Sequence, residues 1–362
     1  MLRLTNKDGW FSFPFTPLWL TVRTSRTSSK KGPAQRRQEK KMLQSLYRHI
    51  APAVLLLAAF ALQANSQIFV YNQDDGTGAM TTLVPPQAPI TDYVNAYGPA
   101  WTIVTPVGGG LLFYSAQSGL GATNYVDQSG NLYTESVLSF GPGWTHIVQS
   151  GYFLLFYNSN SGQAVAGHMA DGNFVPYQSV TSFLPGWTHI VATDQGSLLF
   201  YNAADGSGAV GYLNPLYAGD PGSFGQIVDA QYIQKKSYVP GYFITGWTQV
   251  LESHHGILFY RASDGLNAMV NVDPNTGVVS TLVYSVQNLT PGWTSIVAQP
   301  DSILFYNSAT GDIATGHVLD DWRYSFQLRG KLAIDQLFPG YFSPGWTNAA
   351  YAPWPSPPDC CG

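Results

Sequence analysis

Polar side chains recur in this chain at two fixed distances from repeated aromatic residues. Eleven residues after a recurrent Tyr, the side chains can nearly all form hydrogen bonds, and they vary in type: Thr82, Tyr125, His168, Tyr212, Asn271 and His317. Two residues after a recurrent Trp lie Ile103, His146, His189, Gln249, Ser295 and Asn348. Varied polar groups in a repeated frame could line related binding pockets, or they could be solvent-exposed positions that bind nothing. The pattern predicts ligand-binding roles for Tyr125, His168, Tyr212, Asn271, His317, His146 and His189.

The sequence contains no motif typical of a metal, cofactor or nucleophile site. None of the seven His residues forms a His-x-x-x-His or His-Glu-x-x-His pattern, and the adjacent His254 and His255 are predicted to lie in a loop. No Gly-x-Ser-x-Gly occurs. Beyond residue 67 the glutamates are Glu135 and Glu252, and a carboxylate pair drawn from different repeats stays open. We therefore predict no catalytic residue, no metal and no cofactor.

Two aromatic signatures set the frame around these positions. A Trp-Thr pair begins at Trp101, Trp144, Trp187, Trp247, Trp293 and Trp346. An apolar run ends in Tyr71, Tyr114, Tyr157, Tyr201, Tyr260 and Tyr306, and a glycine follows each of these five residues later. The nearly constant Trp-to-Tyr spacing predicts a tight β-hairpin, and we interpret the recurrent Trp and Tyr as packing residues.

Each repeat unit has room for four short strands, which is typical of one propeller blade. The sequence therefore predicts an all-β, six-bladed β-propeller. The first unit lacks its first strand, and the last unit contains mainly a first strand. The N- and C-terminal strands are therefore expected to pair and close the ring. Longer insertions fall near 214–243 and 319–342, where loops on one face are expected.

Composition supports a β fold and excludes one class of partner. The chain contains 37 Gly and 24 Pro, with 14% aromatic and only 10% charged residues. Beyond residue 67 it carries six basic and 19 acidic residues. Such an acidic body has no basic surface for a phosphate backbone, so nucleic acid is excluded as a partner.

The N-terminal region has the pattern of an export signal. From Met42, basic residues precede an apolar stretch from Ile50 to Leu62 and then small and polar residues, which predicts cleavage after Ser66. The apolar stretch is too short for a retained membrane span. The protein is expected to be secreted, or periplasmic or extracellular. The predicted organisation is an N-terminal extension over 1–41 that results from a start codon assigned too early, a signal peptide over 42–66, the propeller over 67–353 and a C-terminal tail over 354–362. A long basic leader or an organellar transit segment is the alternative for 1–41.

The Gly-Trp-Thr-x-Ile-Val and Leu-Leu-Phe-Tyr-Asn units resemble those of secreted propeller proteins, namely the tachylectin and tectonin group and the six-bladed fungal fucose-binding lectins. The resemblance implies carbohydrate recognition between blades. The sequence departs from the fucose-binding type, because Arg261, Arg323 and Arg329 are its only arginines beyond residue 67. It also lacks the arginine cluster and Asp boxes of sialidases. The predicted function is noncatalytic binding of a glycan or another extracellular polymer. The alternatives are a protein-interaction scaffold or adhesin and, third, a glycosidase or lyase.

Overall fold

The computed structural model describes two separate units of the chain. The described residues are 3–6, 9–12, 67–83, 87–127, 131–170, 173–180, 184–193, 196–213, 233–239, 241–253, 256–273, 276–280, 283–284, 289–299, 302–319 and 331–352. In the first unit, β1 (Arg3–Asn6) and β2 (Gly9–Ser12) form an antiparallel hairpin. Among the described residues, no helix has the length and apolar character needed to cross a bilayer.

The second unit is a six-bladed β-propeller, as the sequence predicts. Six antiparallel four-stranded sheets account for all of its described strands. Blade 1 contains β6 (Ile103–Val107), β7 (Gly110–Tyr114), β8 (Leu120–Val126) and β9 (Leu132–Ser139). Blade 2 contains β10 (His146–Ser150), β11 (Phe153–Tyr157), β12 (Ala164–Ala170) and β13 (Asn173–Val180). Blade 3 contains β14 (His189–Ala192), β15 (Ser197–Tyr201), β16 (Gly208–Leu213) and β17 (Ile233–Val239).

The remaining three blades repeat this order. Blade 4 contains β18 (Gln249–Glu252), β19 (Ile257–Tyr260), β20 (Asn267–Val270) and β21 (Val283–Tyr284). Blade 5 contains β22 (Ser295–Gln299), β23 (Ser302–Tyr306), β24 (Ile313–Leu319) and β25 (Lys331–Phe338). Blade 6 is assembled from both ends of the unit: β26 (Asn348–Ala352) pairs with β3 (Gln67–Tyr71), which continues to β4 (Thr77–Thr82) and β5 (Ile90–Ala96).

The pairing of β26 with β3 confirms the predicted ring closure. Its register runs antiparallel from Asn348 opposite Tyr71 to Ala352 opposite Gln67. The Thr347 N–H also donates to the Tyr71 carbonyl oxygen at 2.8 Å. β3 therefore has a strand on both sides and is not an edge strand where the chain ends meet.

Burial explains why the second strand of each unit is continuously apolar. The side chains of β7, β15 and β23 are buried along their whole length. They contribute to hydrophobic clusters that join neighbouring blades, for example Leu155 and Tyr157 of blade 2 with Ile190 and Leu198 of blade 3. A strand covered on both faces cannot alternate apolar and polar residues.

The recurrent Tyr and Trp fasten each blade to the next. All six Tyr side chains are at most 1% exposed. Each hydroxyl donates to a carbonyl oxygen in the connection to the following blade and accepts a hydrogen bond from the backbone N–H of that blade's Trp. The Tyr260 hydroxyl, for example, lies 2.8 Å from the Thr290 carbonyl oxygen and 3.2 Å from the Trp293 nitrogen. We call this pair of bonds the tyrosine lock. It confirms the packing interpretation of the signature and explains its spacing.

The predicted insertions fall between the third and fourth strands of blades 3 and 5 in the order of the chain. Residues 214–232 lie between β16 and β17, and 320–330 between β24 and β25. These segments lie outside the described residues, as do His254, His255 and the tail from 353 onward.

Candidate functional site

The first strands of the six blades form the inner ring of the propeller. Each contacts the first strands of the two neighbouring blades. All six begin at the second residue after the recurrent Trp: Ile103, His146, His189, Gln249, Ser295 and Asn348. These residues therefore surround one end of the ring, which we call the Trp face. The opposite end, where the first and second strands are joined by tight turns, is the hairpin face.

A threonine orients each of these residues. The Thr that follows each Trp donates its backbone N–H to the carbonyl oxygen of the recurrent Tyr, as Thr145 does to Tyr157 at 2.9 Å. Its hydroxyl oxygen accepts a backbone N–H from the turn after the second strand, as Thr145 does from Ser159 at 2.9 Å. The beginning of every inner strand is thereby held at both backbone and side chain.

Side chains on three consecutive inner strands reach the next blade. His146 Nε2 lies 2.9 Å from the Thr188 carbonyl oxygen, and His189 Nε2 lies 3.3 Å from the Thr248 carbonyl oxygen. Gln249 Nε2 donates to the Thr294 carbonyl oxygen at 2.8 Å. Histidine and glutamine thus make equivalent bonds at equivalent positions, although only histidine titrates near neutral pH.

The hydrogen bonds define the proton positions on both imidazoles. A carbonyl oxygen can only accept, so Nε2 carries the hydrogen in each ring. The Nδ1 of His146 lies 2.8 Å from Thr145 Oγ1, and that of His189 lies 2.9 Å from Thr188 Oγ1. In the neutral ring, Nδ1 therefore accepts from the threonine hydroxyl.

Burial keeps both histidines neutral at pH 7. Desolvation lowers the pKa of His146 below its ordinary value. Desolvation also lowers the pKa of His189, and repulsion from a charge on His146 adds to this effect. Neutral imidazoles are available as hydrogen-bond donors and as proton acceptors.

The other half of the Trp face is chemically different. Ile103 packs in the apolar cluster of Tyr114 and Ile147. Asn348 Nδ2 donates to Thr347 Oγ1 of its own blade at 3.1 Å. Neither side chain, nor that of Ser295, can transfer protons near neutral pH. Among the six residues that begin the inner strands, the titratable ones are therefore His146 and His189, in blades 2 and 3.

The residues predicted eleven positions after each Tyr lie toward the hairpin face. In blade 2, His146 pairs with Tyr157 at the end of β11, whereas His168 pairs with Phe153 at its beginning. Phe153 and Tyr157 are four residues apart, so these two levels are separated by about 13 Å along the strand. The structure brings His146 and His189 to one face but does not join them with Tyr125, His168, Tyr212, Asn271 or His317.

These five residues have separate surroundings. Tyr125 is exposed and its ring stacks on that of Tyr133 at 5.2 Å. His317 Nδ1 lies 2.8 Å from Asp335 Oδ1 across β24 and β25. The Asn271 N–H donates to Ser280 Oγ. His168 is partly buried opposite Val175, and Tyr212 pairs through its backbone with Ser197, while its side chain lies outside the described part.

Two features of the molecule were missed by the sequence argument. The first is the orientation of the histidines by Thr145 and Thr188, although the repeated Trp-Thr-His triplet was a visible signal. The second is a pocket of about 280 Å³ between blades 1 and 2, lined mainly by apolar side chains that include Phe140, Trp144 and Phe174. No titratable side chain lines that pocket, so it could hold a ligand but not transfer protons to it. The described residues include no group of three or more His, Cys, Asp or Glu side chains arranged to hold a metal.

No family model matches the sequence, and no curated protein is significantly similar to it. Solved structures of like fold include a candidate 6-phosphogluconolactonase from Bacteroides fragilis, at 11% identity over 80% of this chain and 99% of that one, with a TM-score of 0.51. A functionally unknown protein from Desulfotomaculum acetoxidans has 8% identity over 78% of this chain and 83% of that one, with a TM-score of 0.50. The periplasmic gluconolactonase PpgL of Pseudomonas aeruginosa has 12% identity over 80% and 99%, with a TM-score of 0.48.

These comparisons correct the predicted function. The sequence argument favoured a noncatalytic binding protein for glycans or another extracellular polymer, with a scaffold or adhesin as alternative. That prediction is contradicted, because the structures of like fold include a candidate 6-phosphogluconolactonase, which would be an enzyme. The resemblance to propeller lectins was correct for the architecture and not for the function. At these identities, the likeness establishes that the chain has the β-propeller fold.

Proposed function

We propose that this protein is an exported hydrolase that opens a small, polar lactone at the Trp face of its propeller. The observation that carries the proposal is the pair of neutral histidines on adjacent inner strands, each oriented by a threonine hydroxyl and a neighbouring carbonyl. Likeness to the candidate 6-phosphogluconolactonase supports the choice of a sugar-derived cyclic ester.

The histidine pair offers both groups that lactone hydrolysis requires. The attacking water needs a base, and the carbonyl oxygen of the lactone needs a donor where negative charge develops. A ring that keeps its Nε2–H can donate to that oxygen in place of the blade carbonyl. The other ring, in its second tautomer, has a lone pair on Nε2 that can accept a proton from water.

Threonine can hydrogen-bond to Nδ1 in either tautomer, while the Nε2 that lacks a hydrogen must turn from the blade carbonyl oxygen toward the attacking water. Thr145 Oγ1 lies within hydrogen-bond distance of both His146 Nδ1 and the Tyr157 carbonyl oxygen, at 2.8 and 3.1 Å. When Nδ1 carries the hydrogen, it donates to Thr145 Oγ1, and the hydroxyl hydrogen turns to the Tyr157 carbonyl. The threonine therefore accommodates the imidazole before and after it takes up a proton.

The differences among the six blades at this position also favour an enzyme over a multivalent binding protein. A protein with equivalent sites would repeat the same side chain at the second residue after each Trp. Instead, His146 and His189 occupy two adjacent blades, and the four other blades carry different side chains. A single site built from adjacent blades is what catalysis at one substrate requires.

We further propose that residues 42–66 direct export and that Gln67 begins the mature protein. The ordered basic, apolar and small-residue regions support this assignment.

The hydrolase proposal is tested with glucono-δ-lactone as the probe. Acid release is followed with a pH indicator and corrected for the spontaneous reaction. In the double variant His146→Gln/His189→Gln, we expect the catalysed rate to fall by about a hundredfold or more, which is the usual contribution of acid–base groups. Glutamine is the matched replacement because Gln249 already makes the same bond to the next blade.

The control variant is His317→Gln, which alters a histidine outside the Trp face. It should hydrolyse the lactone at the rate of the unaltered protein. A double variant as active as the parent, or a parent that does not exceed the spontaneous rate, would refute the proposed function.

A further inference from the structure

Gln67 is a polar residue at the start of β3, the strand that pairs with β26 to close the ring. It begins β3, with Ala352 of β26 on one side and Thr82 of β4 on the other. Only 4% of its surface is exposed. A glutamine so deeply placed normally has its amide group paired with other polar atoms.

The side-chain oxygen of Gln67 does not have such a partner. Its Oε1 is buried and forms no hydrogen bond with any described residue. The surrounding residues, which include Ile68 and Ala352, are also buried. A buried amide oxygen without a hydrogen bond costs free energy, so an open glutamine side chain is unfavourable at this position.

Export adds a second polar group to the same place. If cleavage follows Ser66, as proposed above, Gln67 acquires a free α-amine. That amine is ordinarily protonated at pH 7, and burial disfavours its charged form. The closed ring would then hold a cation and an unpaired carbonyl oxygen at one residue.

We propose that Gln67 of the exported protein is converted to pyroglutamate. The α-amine nitrogen attacks the side-chain carbonyl carbon, a new C–N bond closes a five-membered lactam, and the bond from that carbon to the amide nitrogen breaks. The amide nitrogen leaves as ammonia. No oxidant or cofactor takes part, because the oxidation state of every atom is unchanged.

The product carries no positive charge, which burial would disfavour. The lactam is neutral and keeps one N–H for the strand ladder, while its carbonyl oxygen is the former Oε1. The order of synthesis leaves time for the reaction, since β26 is the last strand of the ring to be made and covers β3 only when the ring closes. This inference rests on the proposed export and not on the hydrolase activity.

Mass spectrometry of the exported full chain is the test. We expect an N-terminal peptide that begins at Gln67, has lost the mass of one ammonia and is resistant to Edman degradation. A peptide that begins at Gln67 with a free amine would overturn the proposal, and so would a mature protein that begins at another residue. Neither result would bear on the lactone assay.

A matched variant separates cyclisation from a merely structural role of the residue. Gln67→Asn keeps a terminal amide but cannot form the five-membered lactam, so its α-amine stays free. Its melting temperature should fall by a few degrees and should rise with pH through the ordinary amine range of about 8, whereas the parent should not respond to pH there. Equal pH responses in the two proteins would contradict the inference.

Discussion

The tyrosine lock at the ring closure is the best place to measure what holds the propeller together. Tyr306 of blade 5 donates its hydroxyl hydrogen to the Ser343 carbonyl oxygen at 2.9 Å. The same oxygen accepts the Trp346 N–H at 3.1 Å, immediately before the closing strand β26. Tyr306→Phe removes both bonds and keeps the buried ring, so no apolar cavity forms.

The expected loss follows from the groups that are left behind. One backbone donor and one backbone acceptor lose their partner in a partly buried connection, and each such group costs about 1–3 kcal/mol when it is fully desolvated. Water can reach part of this connection, so we expect a total of about 2 kcal/mol. For a domain of this size, that corresponds to a fall in melting temperature of about 4 °C.

The assay combines thermal unfolding with amide hydrogen exchange. Tyr157→Phe is the matched control, because it removes the equivalent bonds to Leu184 and Trp187 within continuous chain. Both variants should lose similar stability, but only Tyr306→Phe should speed exchange in β26. A loss below about 0.5 kcal/mol in both variants, the size of an ordinary surface change, would show that the lock does not stabilise the fold.

Two further predictions concern the histidine pair and the turn glycines. The unfolded chain protonates His146 and His189 near pH 6.5, whereas their folded pKa values are lower, so stability should be constant above that pH and should decline as the pH falls below it. Thermal unfolding from pH 8 to pH 5 should show this decline, and the glutamine double variant should show less of it. Gly265→Ala should destabilise the fold by several kcal/mol, because a methyl group there would overlap the Leu289 carbonyl oxygen at a positive φ of 74°. Gly340→Ala, with φ of 57° and open space around it, should cost only about 1 kcal/mol, and equal losses in denaturant titrations would contradict the steric argument.

The propeller could be predicted because the residues that make the same tertiary contacts recur at nearly constant spacing in every repeat. Each recurrent Tyr must reach the connection before the next Trp, and each Thr must reach the turn after the second strand. Such contacts tolerate little change in length, so they leave a period in the sequence. The complementary ends of the chain then indicated the closure that β26 and β3 make.

The site could be predicted only in part, because chain distance does not say which end of a strand a residue occupies. His146 and His168 each stood at a fixed distance from a framework residue, yet the antiparallel register places them at opposite faces. The pairing of His317 with Asp335 depends on the register of β25, which has no repeated signature. The function was predicted wrongly because varied polar residues were interpreted as many weak sites.

The hydrogen bonds at the Trp face explain how one blade position can change its chemistry without loss of structure. The bond to the next blade requires only a donor at the end of a planar side chain, and both histidine and glutamine provide it. Packing therefore does not distinguish Gln249 from His146, whereas proton transfer does. A repeat that holds its strands through Thr and Tyr is free to vary this position, and the two adjacent blades where it carries histidine are where we expect chemistry.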